Sequence, residues 1–306
     1  MKLVGMWNFG SPRAIFSDSS HIYLGSGGSV IIFDASDTSN PQKIGTISFP
    51  GREVIDIYIL DTLMLVADSD KGSRIVNVSD PYSPVEVGLI ESGWAKSIFA
   101  KSNLAYVGEY IDSWQLSIYD ISDVQNPSLL GACSVTVWIE DVIVDDNYTY
   151  MANLIDGLRI FDVADSTNPY EISNYALSGY TVSLDLYCDT LLLVTSQLGA
   201  SGLWIFNVRD PHNPILVAYD TTISWGGDDV CHFSHYAYVS SVFEGTFISD
   251  INDPSNPFVV GIYTPPCLVF EDRNTNIGSY LYIGECGTLE WLGNALRTID
   301  ASDPTN

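Results

Sequence analysis

Basic residues are scarce in this chain of 306: 12 Lys and Arg stand against 38 Asp and Glu, a net charge of −26. A surface so negative repels phosphate backbones and anionic lipid headgroups, which excludes nucleic acid and membrane insertion as partners. Long apolar runs are missing too. The most apolar stretch, Phe258 to Phe270, is broken by Pro265-Pro266 and falls short of the roughly 18 residues that a membrane span needs. Helical spacing of apolar residues is sustained nowhere. The five cysteines (Cys133, Cys188, Cys231, Cys267 and Cys286) show no C-x-x-C spacing and no disulfide framework, and their odd number leaves a thiol free within a monomer. Cys267 and Cys286 can pair, but buried free thiols are the simpler reading. Enzyme signatures such as a G-x-S-x-G elbow, a phosphate loop or H-E-x-x-H do not occur. Residues Met1 to Trp7 hold one basic residue and too short an apolar run for a secretory signal. The chain is then either cytoplasmic or a piece of a longer secreted polypeptide, and the phase of its repeats favours the second.

What is present is a large core, with 46% hydrophobic and 12% aromatic residues, and internal repetition. Ile32-Phe33-Asp34-Ala35-Ser36-Asp37-Thr38-Ser39-Asn40-Pro41 returns as Ile118-Tyr119-Asp120-Ile121-Ser122-Asp123 ending in Asn126-Pro127. It returns again as Ile160-Phe161-Asp162-Val163-Ala164-Asp165 ending in Asn168-Pro169. The second aspartate recurs at Asp37, Asp80, Asp123, Asp165, Asp210, Asp253 and Asp303, at intervals of 42 to 50 residues. A period in the low forties accommodates four short strands and their turns. In the fourth period the β-rich runs are Asp141 to Val144, Tyr148 to Asn153, Gly157 to Val163 and Tyr170 to Ala176, each bounded by Gly, Asn, Asp or Pro.

This motif resembles the LVIVD repeat, named for its third strand and found in β-propellers of bacterial and archaeal surface proteins. The likeness covers essentially the whole chain. Asn77 and Asn207 replace the aspartate that ends the third strand, and the seventh copy carries extra residues. The expectation is an all-β fold: a seven-bladed β-propeller of four-stranded blades, one monomeric domain over 1–306. Its blades run at about 10–50, 51–92, 93–135, 136–178, 179–223, 224–266 and 267–306 plus 1–8. The last motif stops at Asn306, where other copies continue as Pro-x-x-x-Gly into a fourth strand, and Lys2 to Trp7 reads as that strand. The last blade is expected to be closed by it, beside Leu296 to Ser302. The resemblance implies an extracellular or cell-surface location and supplies neither catalytic residues nor cofactors.

The repeated acids read as turn devices, because Asp, Asn and Ser side chains accept backbone N–H bonds in tight turns. Asp68-Ser69-Asp70-Lys71-Gly72 begins like a calcium loop but lacks the acids that would complete a cage, so a hairpin is expected and no metal. In Cys231-His232-Phe233-Ser234-His235 the two histidines fall on opposite faces of a strand, and His232 reads as packed inside.

Tryptophan distribution is the most informative feature. Trp94, Trp138 and Trp225, with Tyr180, lie three or four residues before the aligned positions Ser97, Asp141, Asp229 and Leu184, in the loops leading to the inner strands. Trp114 and Trp291 lie between second and third strands, on the same face of a propeller. Asp56, Asp141 and Asp229 head inner strands beside the channel. Indole faces beside carboxylates suit sugar stacking or a cationic group; equally, such aromatics wedge between blades. The leading expectation is a non-catalytic module binding protein, peptide or glycan on the tryptophan-rich face. The alternatives are a passive spacer of a surface protein, or a carbohydrate-active hydrolase or lyase using the channel carboxylates.

Overall fold

The computed structural model describes residues 2–9, 12–69, 72–199, 201–223, 226–241, 244–264, 269–287 and 294–303. Among them the only regular elements are 28 strands, arranged as seven four-stranded antiparallel sheets. Within each of the first six sheets, consecutive strands are neighbours. Two-residue turns and short loops suffice for such antiparallel connections. The innermost strands are Pro12–Ser17, Val54–Leu60, Trp94–Lys101, Asp141–Asp145, Tyr180–Tyr187, Asp229–Phe233 and Val269–Ile277. Each touches the next, and the seventh touches the first, so the blades form a closed ring.

The seventh sheet is discontinuous in sequence. Its order from inside out is Val269–Ile277, Tyr280–Gly287, Asn294–Asp300 and Lys2–Phe9. The outermost pair runs antiparallel from Lys2↔Asp300 to Phe9↔Asn294, with a bulge between Leu3 and Gly5. Both ends of the chain therefore build one wedge.

The apolar core is distributed between blades. Each cluster joins two neighbours: Tyr106, Leu116 and Ile118 of the third blade pack against Val142, Met151 and Phe161 of the fourth. Middle strands such as Tyr148–Asn153 are buried on both faces, whereas outer strands such as Tyr170–Tyr175 are not. This explains why the third strands read as near-continuous apolar runs instead of alternating.

The repeated acids shape the turns. Asp34 Oδ1 accepts the Ser36 N–H at 2.8 Å, and Asp37 accepts the Ser39 N–H on its side chain at 3.2 Å and the Asn40 N–H on its carbonyl at 2.9 Å. The same pattern recurs at Asp120 and Asp123, Asp162 and Asp165, Asn207 and Asp210, and Asp250 and Asp253. Hydrogen bonds from the next two or three residues hold the carboxyls of Asp34, Asp120, Asp123, Asp165, Asp210 and Asp253 below the ordinary range.

The glycine of Pro-x-x-x-Gly has a different cause. A Cβ at Gly88 would lie 1.7 Å from the Val124 carbonyl oxygen, and one at Gly45 would lie 2.0 Å from that of Pro81. In these blades the outer strand is pressed against the turn of the following blade. The fourth blade has Ser173 at this register, and it donates its hydroxyl to the Pro211 carbonyl at 2.7 Å, so there the side chain bonds to the turn of the next blade. Gly88→Ala is expected to cost about 1–3 kcal/mol by forcing the two blades apart, which thermal denaturation would register as a loss of about 2–5 °C. An unchanged melt would show that the approach is looser than it looks.

Candidate functional site

The inner strands set up a level ring around the channel. Their registers place Ala14, Asp56, Ser97, Asp141, Ser183, Asp229 and Arg273 opposite Gly25, Ala67, Gly108, Ala152, Thr195, Ser240 and Gly284. The residue level with the aspartates in the fifth blade is thus Ser183 instead of Leu184. A bulge between Thr181 and Ser183 shifts the register by one, which spacing from Tyr180 cannot show.

The three aspartates, from alternate blades, each reach the next blade. Asp56 accepts the N–H groups of Ile57 and, across the gap, Ile98, both at 2.8 Å. Asp141 accepts those of Val142 at 2.7 Å and Leu184 at 2.8 Å. Asp229 accepts the Asn274 N–H at 2.8 Å and the Ser183 hydroxyl at 2.8 Å. The Ser183 hydroxyl also lies 3.3 Å from Asp141, so one serine bridges two acids. These are latches between blades. Burial, the charge of Asp56 and then that of Asp229 push the Asp141 carboxyl up to about 7, against the opposing pull of the Leu184 and Val142 N–H groups.

The cavity around this ring has a volume of about 240 Å³ and is lined by residues of all seven inner strands. Towards its mouth, Lys96 pairs with Glu140 at 3.0 Å and Arg13 with Glu53 at 2.8 Å. Towards the other end, Tyr58 meets Phe16 edge-on and Phe99 at a tilt, with centroids 5.3 and 4.2 Å apart. His232 is not simply packed inside: its Nδ1 meets Asp185 at 2.6 Å, and this hydrogen bond raises its pKa. Burial and the charges of Asp185 and Asp229 push the neighbouring Cys231 thiol well up, which keeps it protonated and a poor nucleophile. Cys133 and Cys188 are free as well. Of the suggested Cys267–Cys286 pair, Cys267 lies outside the described residues. Asp68 is buried and held by Arg74 at 3.1 Å, and no group able to hold a metal ion occurs among the described residues.

The aromatic residues gather on the face reached by the loops between blades. Trp94, Trp114 and Trp138 form a triangle with centroids 5.7, 5.8 and 6.0 Å apart, and Tyr110 joins it 5.5 Å from Trp114. Trp114 is only 7% exposed and wedges into the core between the third and fourth blades, whereas Trp94, Trp138 and Tyr110 are 39%, 45% and 43% exposed. The cluster is therefore both wedge and surface. Trp94 and Trp114 begin strands instead of lying in loops. Tyr110 is a member that residue spacing missed; the registers Trp94↔Tyr110 and Tyr110↔Trp114 place it between the two indoles.

Buried polar groups below hold this surface still. Glu109, fully buried, accepts the Gly93 N–H at 2.9 Å and the Tyr119 hydroxyl at 2.8 Å. Asn153 donates to the carbonyls of Val137 and Trp138 at 2.9 and 2.8 Å. The backbone carrying two of the indoles is thus tied to the blades beneath. Tyr180 heads the fifth inner strand on the same face, exposed and apart from the triangle. Trp225 and Trp291 lie outside the described residues.

Seven four-stranded wedges around a latched channel define a β-propeller, and the family model of the beta propeller domain matches residues 12–153. The LVIVD repeat model matches residues 139–176 and 228–265. The chain belongs to the LVIVD-repeat β-propellers. Among solved structures it is similar to that of U3-55K, with a TM-score of 0.78, 10% identity and 98% of each chain covered. It is also similar to the crystal structure of the computationally designed Ika8 protein, with a TM-score of 0.67, 9% identity, and 90% of this chain and 81% of that one covered. Likeness at such low identity shows the fold alone. No curated protein matches the sequence.

Proposed function

We propose that this propeller is a non-catalytic recognition module, working outside the cell or on its surface, that binds a protein, peptide or glycan on its tryptophan-bearing face. One observation carries the reading: Trp94 and Trp138, from the start of one blade and the loop into the next, are set side by side on a buried third indole while keeping much of their own surface in water. Rigid, half-exposed aromatic rings on a fixed backbone are what binding hot spots are made of. The acidic surface and the family's membership among surface proteins support the location. Against catalysis, the oxygens of Asp56, Asp141 and Asp229 are already engaged in holding strands, so an acid or base role would require breaking a latch.

The test is a double variant, Trp94→Ala with Trp138→Ala, assayed on glycan and peptide arrays beside the wild type. Binding found for the wild type is expected to weaken at least ~30-fold, while the circular dichroism spectrum stays that of the parent. Binding retained by the variant would move the site elsewhere. No ligand on either array would leave a spacer as the better description.

A further inference from the structure

Resting on that reading, we infer that the ligand is a peptide segment presenting a cationic side chain, arginine or lysine, against the exposed indoles of Trp94 and Trp138. Their centroids are 6.0 Å apart, so a group seated about 4 Å above the midpoint lies about 5 Å from both, with the buried Trp114 packed beneath them. That is within the reach of the cation–π attraction for both exposed rings at once. The two rings are inclined by 66°, so they share no plane. A neutral sugar needs a flat platform to stack on, whereas a compact charge gains from several rings tilted around it.

Charge agrees. Glu91, three residues before Trp94, and Asp112, between Tyr110 and Trp114, are exposed and have no ion-pair or hydrogen-bond partner among the described residues. The neighbouring cations are already committed: Lys96 to Glu140, and Arg159 to Asp156 and Glu171. The rim of the cluster therefore offers carboxylates without an opposing charge, and the net charge of −26 draws a basic segment towards it.

The experiment follows the indole N–H resonances during titration with the pentapeptide acetyl-Gly-Gly-Arg-Gly-Gly-amide, its citrulline counterpart and cellohexaose. The arginine peptide is expected to move the signals of Trp94 and Trp138, and the uncharged citrulline peptide to bind at least ~5-fold more weakly. Glu91→Gln with Asp112→Asn should weaken the arginine peptide by a similar factor. Asp61→Asn with Asp146→Asn removes the same charge from hairpin turns at the opposite end of the blades, where both residues have positive φ that asparagine tolerates, and should leave binding within ~2-fold. Equal binding of the citrulline peptide, or equal loss in the two charge pairs, would overturn the inference. Indole shifts with cellohexaose alone would overturn it while leaving the recognition module standing, and silence from all three probes would overturn it as well.

Discussion

A protein lacking residues 1–9 is expected to melt roughly 10 °C below the full chain, the largest loss of stability among the changes considered. The strand Lys2–Phe9 completes the last blade by pairing along the length of Asn294–Asp300. Its removal deletes about half a dozen backbone hydrogen bonds, each worth about 1 kcal/mol net. It also leaves a bare sheet edge, which invites pairing with another chain, so aggregation during heating should rise in parallel. A synthetic peptide of residues 1–9 added in trans should restore part of the lost temperature. A truncated protein that melts with the parent would refute the role of the strand.

The second large effect concerns pH. The Asp141 carboxyl holds its proton to about pH 7 in the folded protein, while in the unfolded chain it ionises near the ordinary value of 3.8. Unfolding thus releases a proton between pH 4 and 7, and the stability belonging to this group is present in full below the lower value and lost as pH rises through the upper one. The loss is on the order of 2–4 kcal/mol, set by the size of the shift and moderated by water in the channel. The turn aspartates work in the opposite sense, since their depressed values hold stability down to pH below 3.8. Asp141→Asn removes the slope at the cost of one acceptor for a backbone N–H. The difference in melting temperature, variant minus parent, is therefore expected to climb by about 3–6 °C between pH 4.5 and 7.5. Parallel curves would show that the carboxyl ionises normally in the ring.

Repeat number and strand pattern were readable because the turn chemistry has to be supplied afresh in every blade: Asp34, Asp37 and Pro41 each do a local task that leaves a mark every forty-odd residues. The reason for Gly88 was not readable, since the atom it avoids, the Val124 carbonyl, belongs to the next repeat. Asp56, Asp141 and Asp229 are legible as channel carboxylates suited to a ligand or to hydrolysis, but their latching of neighbouring strands is not, because the groups they hold are backbone N–H groups that every residue type carries. Trp94, Trp114 and Trp138 could be assigned to one face, yet their meeting in a single cluster depends on which blades stand beside each other. Tyr110 escaped notice because a tyrosine at a hairpin end looks like any strand residue until the register is known.

Acid and non-acid take turns around the level ring from Asp56 to Asp229, and alternation of two kinds is a matter of parity. Six or eight members could alternate without remainder, but seven cannot. One junction must join two members of the same kind, and here it is the junction of the seventh and first blades, where Arg273 is followed by Ala14. Further along the same two strands, Ser17 meets the Thr275 hydroxyl at 2.7 Å and donates to the Asn276 carbonyl at 2.8 Å. The circle thus has a seam dictated by arithmetic, and it borders the very wedge that the two chain ends assemble together.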